Sequence, residues 1–123
     1  MTVVGIGVDS VEVGRFRELL ERQPAIRERL FTQDELSYAE KRNDQVPSLA
    51  VRFAAKEAAM KALGVGLGAF GFHDVEVEIV ESGAPMLRLH RAAAELADNA
   101  GVVSWKVSLT HTCSVATAMV VAE

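Results

Sequence analysis

The chain lacks most of what marks an exported or membrane-embedded protein. A single cysteine, Cys113, excludes an intrachain disulfide. No stretch approaches the roughly 18 apolar residues needed to span a bilayer. Met1-Thr2-Val3-Val4-Gly5 has neither the basic nor the apolar region of a secretion signal. There is no internal repeat, no low-complexity run and no long block of like charge, so no segment reads as disordered. An excess of positive charge is missing as well. Against 17 Asp and Glu there are 13 Lys and Arg, a net charge of −4, which argues against general nucleic-acid binding. Together these absences predict a soluble cytoplasmic protein with no membrane association.

What is present suits one domain over residues 1–123, with half the residues hydrophobic and therefore material for a core. Residues 3–13 read as a strand, valine- and isoleucine-rich, with Gly5 and Gly7 where side chains are excluded. Helical patterns follow over 15–22 and, after Pro24, through Leu30. Thr32 and Glu35 form a capping-box pattern that starts a helix reaching about Arg42. Pro47 and Ser48 open the next helix, which ends at Gly64. Residues 73–80 alternate as a strand, with Val75, Val77 and Ile79 on one face and Asp74, Glu76 and Glu78 on the other. A short strand over 86–90, a helix over 92–100 and strands over 102–110 and 115–122 complete the chain. This order predicts an α+β fold with a largely antiparallel sheet.

The helix containing Arg52-Phe-Ala-Ala-Lys-Glu-Ala-Ala-Met-Lys-Ala-Leu-Gly64 is mostly alanine, yet it carries Lys56, Glu57 and Lys61. Side chains this small imply close packing, inside the fold or at a subunit contact. Charged groups there need a metal, a phosphate or a counter-charge. Glu57 and Lys61 share a face, so a surface ion pair is one reading. Asp9, at the end of an apolar strand, is equally a cap or a metal ligand. One Asp and one Glu make a sparse, hard oxygen site of the kind that takes Mg²⁺ with waters and substrate phosphates. Lys61 would meet the phosphate as a point charge. Four glycines between Gly64 and Gly71 would let backbone approach a ligand, but the P-loop Lys-Ser/Thr signature is missing. Residues 10–30 hold five arginines and four glutamates, which suits either solvated helical faces or a dock for an acidic partner.

The blocks GIGVDSVEVGRF (5–16) and RFAAKEAAMKALG (52–64) resemble the two signature blocks of holo-acyl-carrier-protein synthase, the small trimeric class of 4′-phosphopantetheinyl transferase. LFTQDEL (30–36), GFHDVEVEIVESGAPMLRLH (71–90) and WKVSLTHTCSVATAMVVAE (105–123) extend the resemblance over nearly the whole chain. The resemblance implies transfer of the phosphopantetheine arm of coenzyme A to a serine of an apo acyl carrier protein, with adenosine 3′,5′-bisphosphate leaving. It implies that Asp9 and Glu57 hold Mg²⁺ against the pyrophosphate and that Lys61 offsets phosphate charge. Glu57, or a water on the metal, is the preferred base. His111, Arg52, Gly64 (with the glycines at 66 and 68) and Pro85 would contact or wall the coenzyme, and Arg15 would dock the acidic carrier. The chain would form a homotrimer with sites at subunit interfaces. Lys56 matches the second block with either a structural or a catalytic role. Fatty acid, polyketide and peptide synthesis all remain open as the setting, as does acyl-coenzyme A as donor.

Ser10, in place of a commonly apolar residue, and a short glycine-rich segment with Ala69-Phe70 depart from the family pattern. The first would alter the surroundings of the metal and the second the shape of the coenzyme pocket. A metal-dependent phosphohydrolase and a non-catalytic trimeric module binding carrier protein or nucleotide are the competing readings. His73 and His90 have no partner at metal-ligand spacing. Cys113, two residues from His111, would share its strand face, without a third group to make a nucleophile pair.

Overall fold

In a computed structural model that describes residues 2–123, a strand, β1 (Gly5–Glu12), leads into four helices: α1 (Val13–Arg22), α2 (Ile26–Leu30), α3 (Gln33–Glu40) and α4 (Gln45–Ala62). Strands β2 (Val75–Ile79) and β3 (Pro85–Leu89), helix α5 (Arg91–Asn99) and the hairpin β4 (Trp105–His111) and β5 (Val115–Ala122) follow. All pairings are antiparallel, but they form two sheets: β1-β5-β4, and a separate β2-β3 ribbon. The last strand returns to the first, so that Gly7 faces Val120 and Asp9 faces Ala118.

Helix α4 lies across β1 and β5. Ala54, Ala55, Ala58, Ala59 and Ala62 are all buried within this chain, against the inner face of the three-stranded sheet. The alanines therefore serve the interior and provide no subunit contact of their own. Their small size is matched on the strand. A Cβ at Gly5 would sit 1.8 Å from the carbonyl oxygen of Ala62, and one at Gly7 would sit 1.9 Å from that of Ala58. Glycine is required here for close approach of two backbones. The opposite face of the sheet is uncovered. Ile6, Val8, Val115 and Met119 point outward there, each between 39% and 58% exposed.

Several boundaries differ from the sequence pattern, each for a local reason. Helix α1 begins at Val13, which turns into the core rather than extending the strand. Helix α4 begins at Gln45, because the Asp44 carboxylate accepts the N–H of Val46 and caps it; Pro47 falls inside the first turn, where no N–H is missed. Asp74 is in a 3₁₀ turn before β2 and is buried, accepting from Arg91 Nε at 2.8 Å and from the Gly71 N–H. The alternation of acidic residues thus starts at Glu76. The helix over 91–99 opens at Arg91, whose φ of 44° is unusual for a side-chain-bearing residue. Trp105 opens β4 and packs against the core. Among the described residues no helix is long and apolar enough to cross a membrane.

Candidate active site

Strand β1 alternates, so Gly5, Gly7 and Asp9 face α4 while Ile6, Val8 and Ser10 face away. Asp9 is reached when the two glycines have brought the helix close. Lys61 Nζ donates to Asp9 Oδ1 at 3.2 Å and to the Val8 carbonyl at 2.9 Å. Lys61 thus pairs across to the strand rather than along its own helix to Glu57. Glu57, one turn earlier on the same face, lines an open cleft with Asp9, Glu12 and Arg15, floored by Phe16, Leu19 and Phe53. Burial, and then the neighbouring Asp9, raise the Glu57 carboxyl above its usual range, while Lys61 pulls it down. The Ser10 hydroxyl lies 2.9 Å from that of Thr117 on β5, so its polarity is satisfied across the strand pair.

Two carboxylates facing one cleft, one of them partly buried, are a site that a cation stabilises. Among the described residues no group of three or more His, Cys, Asp and Glu could hold a metal ion. Asp9 and Glu57 alone fit a hard divalent ion that keeps waters and takes phosphate oxygens as its other ligands. A structural zinc, with four protein ligands, does not fit this donor set.

Lys56, next to Glu57 in sequence, points the other way and is fully buried. Its Nζ donates to Glu35 Oε1 at 2.7 Å, to the Phe72 carbonyl at 2.9 Å and to the Val75 carbonyl at 2.6 Å. Burial lowers its proton affinity and Glu35 opposes this. Lys56 is therefore a core ion-pair residue with no access to solvent. The capping box of α3 is present as the sequence indicates, and the same Glu35 that completes it receives Lys56. The partnership spans 21 residues and leaves no local signal.

Arg52 and His111 line a different groove, with Tyr38, Arg42, Ser48, Ile79 and Leu109. Arg52 is buried, its guanidinium 4.5 Å from the Tyr38 ring centre and donating to the Ser48 hydroxyl and carbonyl. Its Nε is buried with no partner. Tyr38, a residue the sequence reading passed over, is held in turn by Arg42 Nη2 on its hydroxyl at 2.7 Å. Pro85 pairs with Ile79 at the edge of this groove. Arg42, Arg52 and His111 stand on its walls, and the one carboxylate there, Asp44, is already paired with Arg17, so the groove suits an anionic ligand.

The chain does not bring the two regions together. Arg52 and Glu57 are five residues apart, about 140° around the helix. Gly64 lies beyond the end of α4, about 18 Å along the axis from Arg52. It has φ of 71°, and its N–H and that of Val65 bond the carbonyls of Lys61 and Met60, which closes the helix in a Schellman turn. Added Cβ atoms at Gly64, Gly66 and Gly68 would meet nothing within 4 Å. Arg15 projects from α1 at the rim of the Asp9–Glu57 cleft, 81% exposed and 3.6 Å from Glu12.

His90 Nε2 lies 3.1 Å from Glu76 and His73 meets the Glu28 carbonyl, so both histidines have structural partners. Cys113 is exposed in the turn after β4 rather than on the strand face of His111.

Comparison with known proteins gives one consistent picture. A family model described as the 4′-phosphopantetheinyl transferase superfamily matches residues 5–117. A holo-[acyl-carrier-protein] synthase from Streptomyces avermitilis is 46% identical over 100% of this chain and 99% of its own. One from Frankia casuarinae is 48% identical over the same shares. Among solved structures, holo-[acyl-carrier-protein] synthase from Neisseria meningitidis superposes with a TM-score of 0.90 at 31% identity, covering 99% of each chain. The Helicobacter pylori enzyme in complex with coenzyme A gives 0.84 at 31% identity, covering 96% of this chain and 99% of that one.

Proposed function

The chain belongs to the holo-acyl-carrier-protein synthase family within the 4′-phosphopantetheinyl transferase superfamily, and from that premise we propose how its residues do the work. It transfers the 4′-phosphopantetheine arm of coenzyme A to a serine of an apo acyl carrier protein and releases adenosine 3′,5′-bisphosphate. The observation that carries the residue assignment is the convergence of Asp9 and Glu57 on one cleft, with Lys61 bonded to Asp9.

In our reading Asp9 and Glu57 hold Mg²⁺ against the pyrophosphate, and the ion, when bound, neutralises charge on the phosphate oxygens. Glu57 is the base we assign to take the proton of the carrier serine hydroxyl. The serine oxygen bonds to the β-phosphorus, and the bond from that phosphorus to the bridging oxygen of adenosine bisphosphate breaks. Lys61 follows the charge onto the leaving group. Arg52 and His111 bind the coenzyme, with Pro85 and Gly64 as pocket walls, and Arg15 docks the acidic carrier. All of residues 1–123 act as one transferase domain.

We assign a homotrimer with the site shared between neighbours. Two features support it. The cleft and the basic groove face different sides of α4, so one ligand spanning both needs two copies. The outer face of β1 and β5 is apolar and uncovered, and a contact with a neighbouring copy is its natural use. The single cysteine supports a cytoplasmic setting, and the carrier of fatty acid biosynthesis is the substrate we assign first.

Release of adenosine 3′,5′-bisphosphate from coenzyme A tests the reading against hydrolysis. Release should require apo carrier mole for mole. Release without carrier would make the protein a phosphohydrolase, and tight binding of carrier or nucleotide without release a binding module.

A further inference from the structure

We propose that the buried Glu35–Lys56 pair is the positioning device of the transfer site, fixing the rotation of α4 so that Glu57 meets Asp9. This rests on the role given to Glu57 above. The pair is a complete node. All three protons of the Lys56 ammonium have acceptors, in Glu35, Phe72 and Val75. Glu35 Oε1 accepts from Lys56 and from the Thr32 N–H, and Oε2 accepts from the Val77 N–H. The cap of α3, the middle of α4, the turn before β2 and β2 itself meet at these two side chains. Neither is exposed at all.

The rest of α4 explains why such a node is needed. Alanines against glycines make a smooth contact that draws the helix close but does little to set its rotation. Directed hydrogen bonds to a buried cation do set it. Glu57 is the next residue, about 100° around the helix. A carboxylate about 6 Å from the axis moves about 1 Å when the helix turns by about 10°. A misplacement of that size costs about 100-fold in rate. The Arg52 end of the helix has its own anchors in Ser48 and Tyr38, so the groove it lines should survive loosening of the node.

Glu35→Gln tests this at constant volume. The carboxylate faces three donors, and an amide would set an NH₂ group against one of them. In carrier transfer, counted per folded molecule, kcat should fall about 30- to 100-fold, while KM for coenzyme A stays within about threefold. Mn²⁺ binding with coenzyme A present, read by electron paramagnetic resonance, should weaken about tenfold. Glu35→Asp, which keeps the charge opposite Lys56 with a shorter reach, is used where the amide variant does not fold, with the same kcat loss at constant KM expected. Transfer by wild type and its loss in Glu57→Gln, run alongside, measure the underlying reading separately. In that background, a lowered melting temperature with unchanged kcat per folded molecule and unchanged Mn²⁺ affinity would reduce the pair to a structural role and overturn the proposal. A rise in KM for coenzyme A matching the fall in kcat would overturn it equally.

Discussion

Adding one methyl group at Gly7 should damage the fold and the site together. The new Cβ would sit 1.9 Å from the Ala58 carbonyl oxygen, 2.8 Å from its carbon and 3.0 Å from the Ala62 nitrogen. All three are backbone atoms of α4, so no side chain can swing aside. Carbon and carbonyl oxygen ordinarily meet no closer than about 3.3 Å, so strand and helix would have to part by about 1.4 Å. Separation of that size in an alanine-packed contact costs about 3 kcal/mol, the upper end for overpacking. Asp9 is two residues along the same strand face, and Lys61 bonds it from the same stretch of helix. The displacement therefore reaches the transfer site, where about 1 Å is worth about 100-fold in rate. Urea unfolding at fixed protein concentration should show the midpoint lower by about 1.5 M, taking a slope of about 2 kcal/mol per molar urea. Carrier transfer by the protein that remains folded should fall about 100-fold. A Gly7→Ala protein with the wild-type midpoint and wild-type transfer would refute the close approach of β1 and α4 as the basis of the site.

Other perturbations address separate parts of the account. Arg15→Glu should weaken carrier binding more than coenzyme A binding, measured by calorimetry for each ligand; equal losses would remove α1 as a specific dock. Val8→Lys places a charge on the uncovered face of β1 and should dissociate the proposed homotrimer in sedimentation, with loss of transfer; an unchanged assembly would mean that this face is not the subunit contact. The Glu76 carboxyl is held below its ordinary value of 4.5: burial works against this, and hydrogen bonds from Thr32 and His90 outweigh it. A carboxyl lowered by folding contributes stability above its unfolded pKa and loses it as pH falls through the folded value. Glu76→Gln should therefore flatten the loss of stability below pH about 4.5 in acid unfolding, and an unchanged acid limb would show that the pair is without thermodynamic weight.

Much of the framework could be read from local patterns. Alternating valines gave β2, the Thr32–Glu35 box gave the start of α3, and Gly64 gave the end of α4, because caps and pleats act over a few residues. Gly5 and Gly7 signalled excluded side chains, though not what excluded them. The cap at Asp44 was hidden because Pro47 is a louder signal three residues later. Asp74 looked like a surface member of an alternating strand, and its burial depends on Arg91, 17 residues away. The role of Lys56 was undetermined for the same reason, since Glu35 is 21 residues distant. Asp9, Glu57 and Lys61 could be grouped from residue type as a sparse oxygen site with a point charge, and the resemblance supplied the reaction. Their convergence needs β1 to lie on α4, which no spacing in the sequence encodes. The separation of Arg52 and His111 from them follows from helix rotation and appears once α4 is set in place.

The most direct test of the transferase reading is the intact mass of an apo acyl carrier protein after incubation with this protein and coenzyme A. The account predicts a gain of one phosphopantetheine with Mg²⁺, no gain with a chelator, and almost none with folded, oligomeric Glu57→Gln. No gain on fatty-acid or polyketide carriers from folded wild-type protein, or a gain that persists in Glu57→Gln, would contradict it.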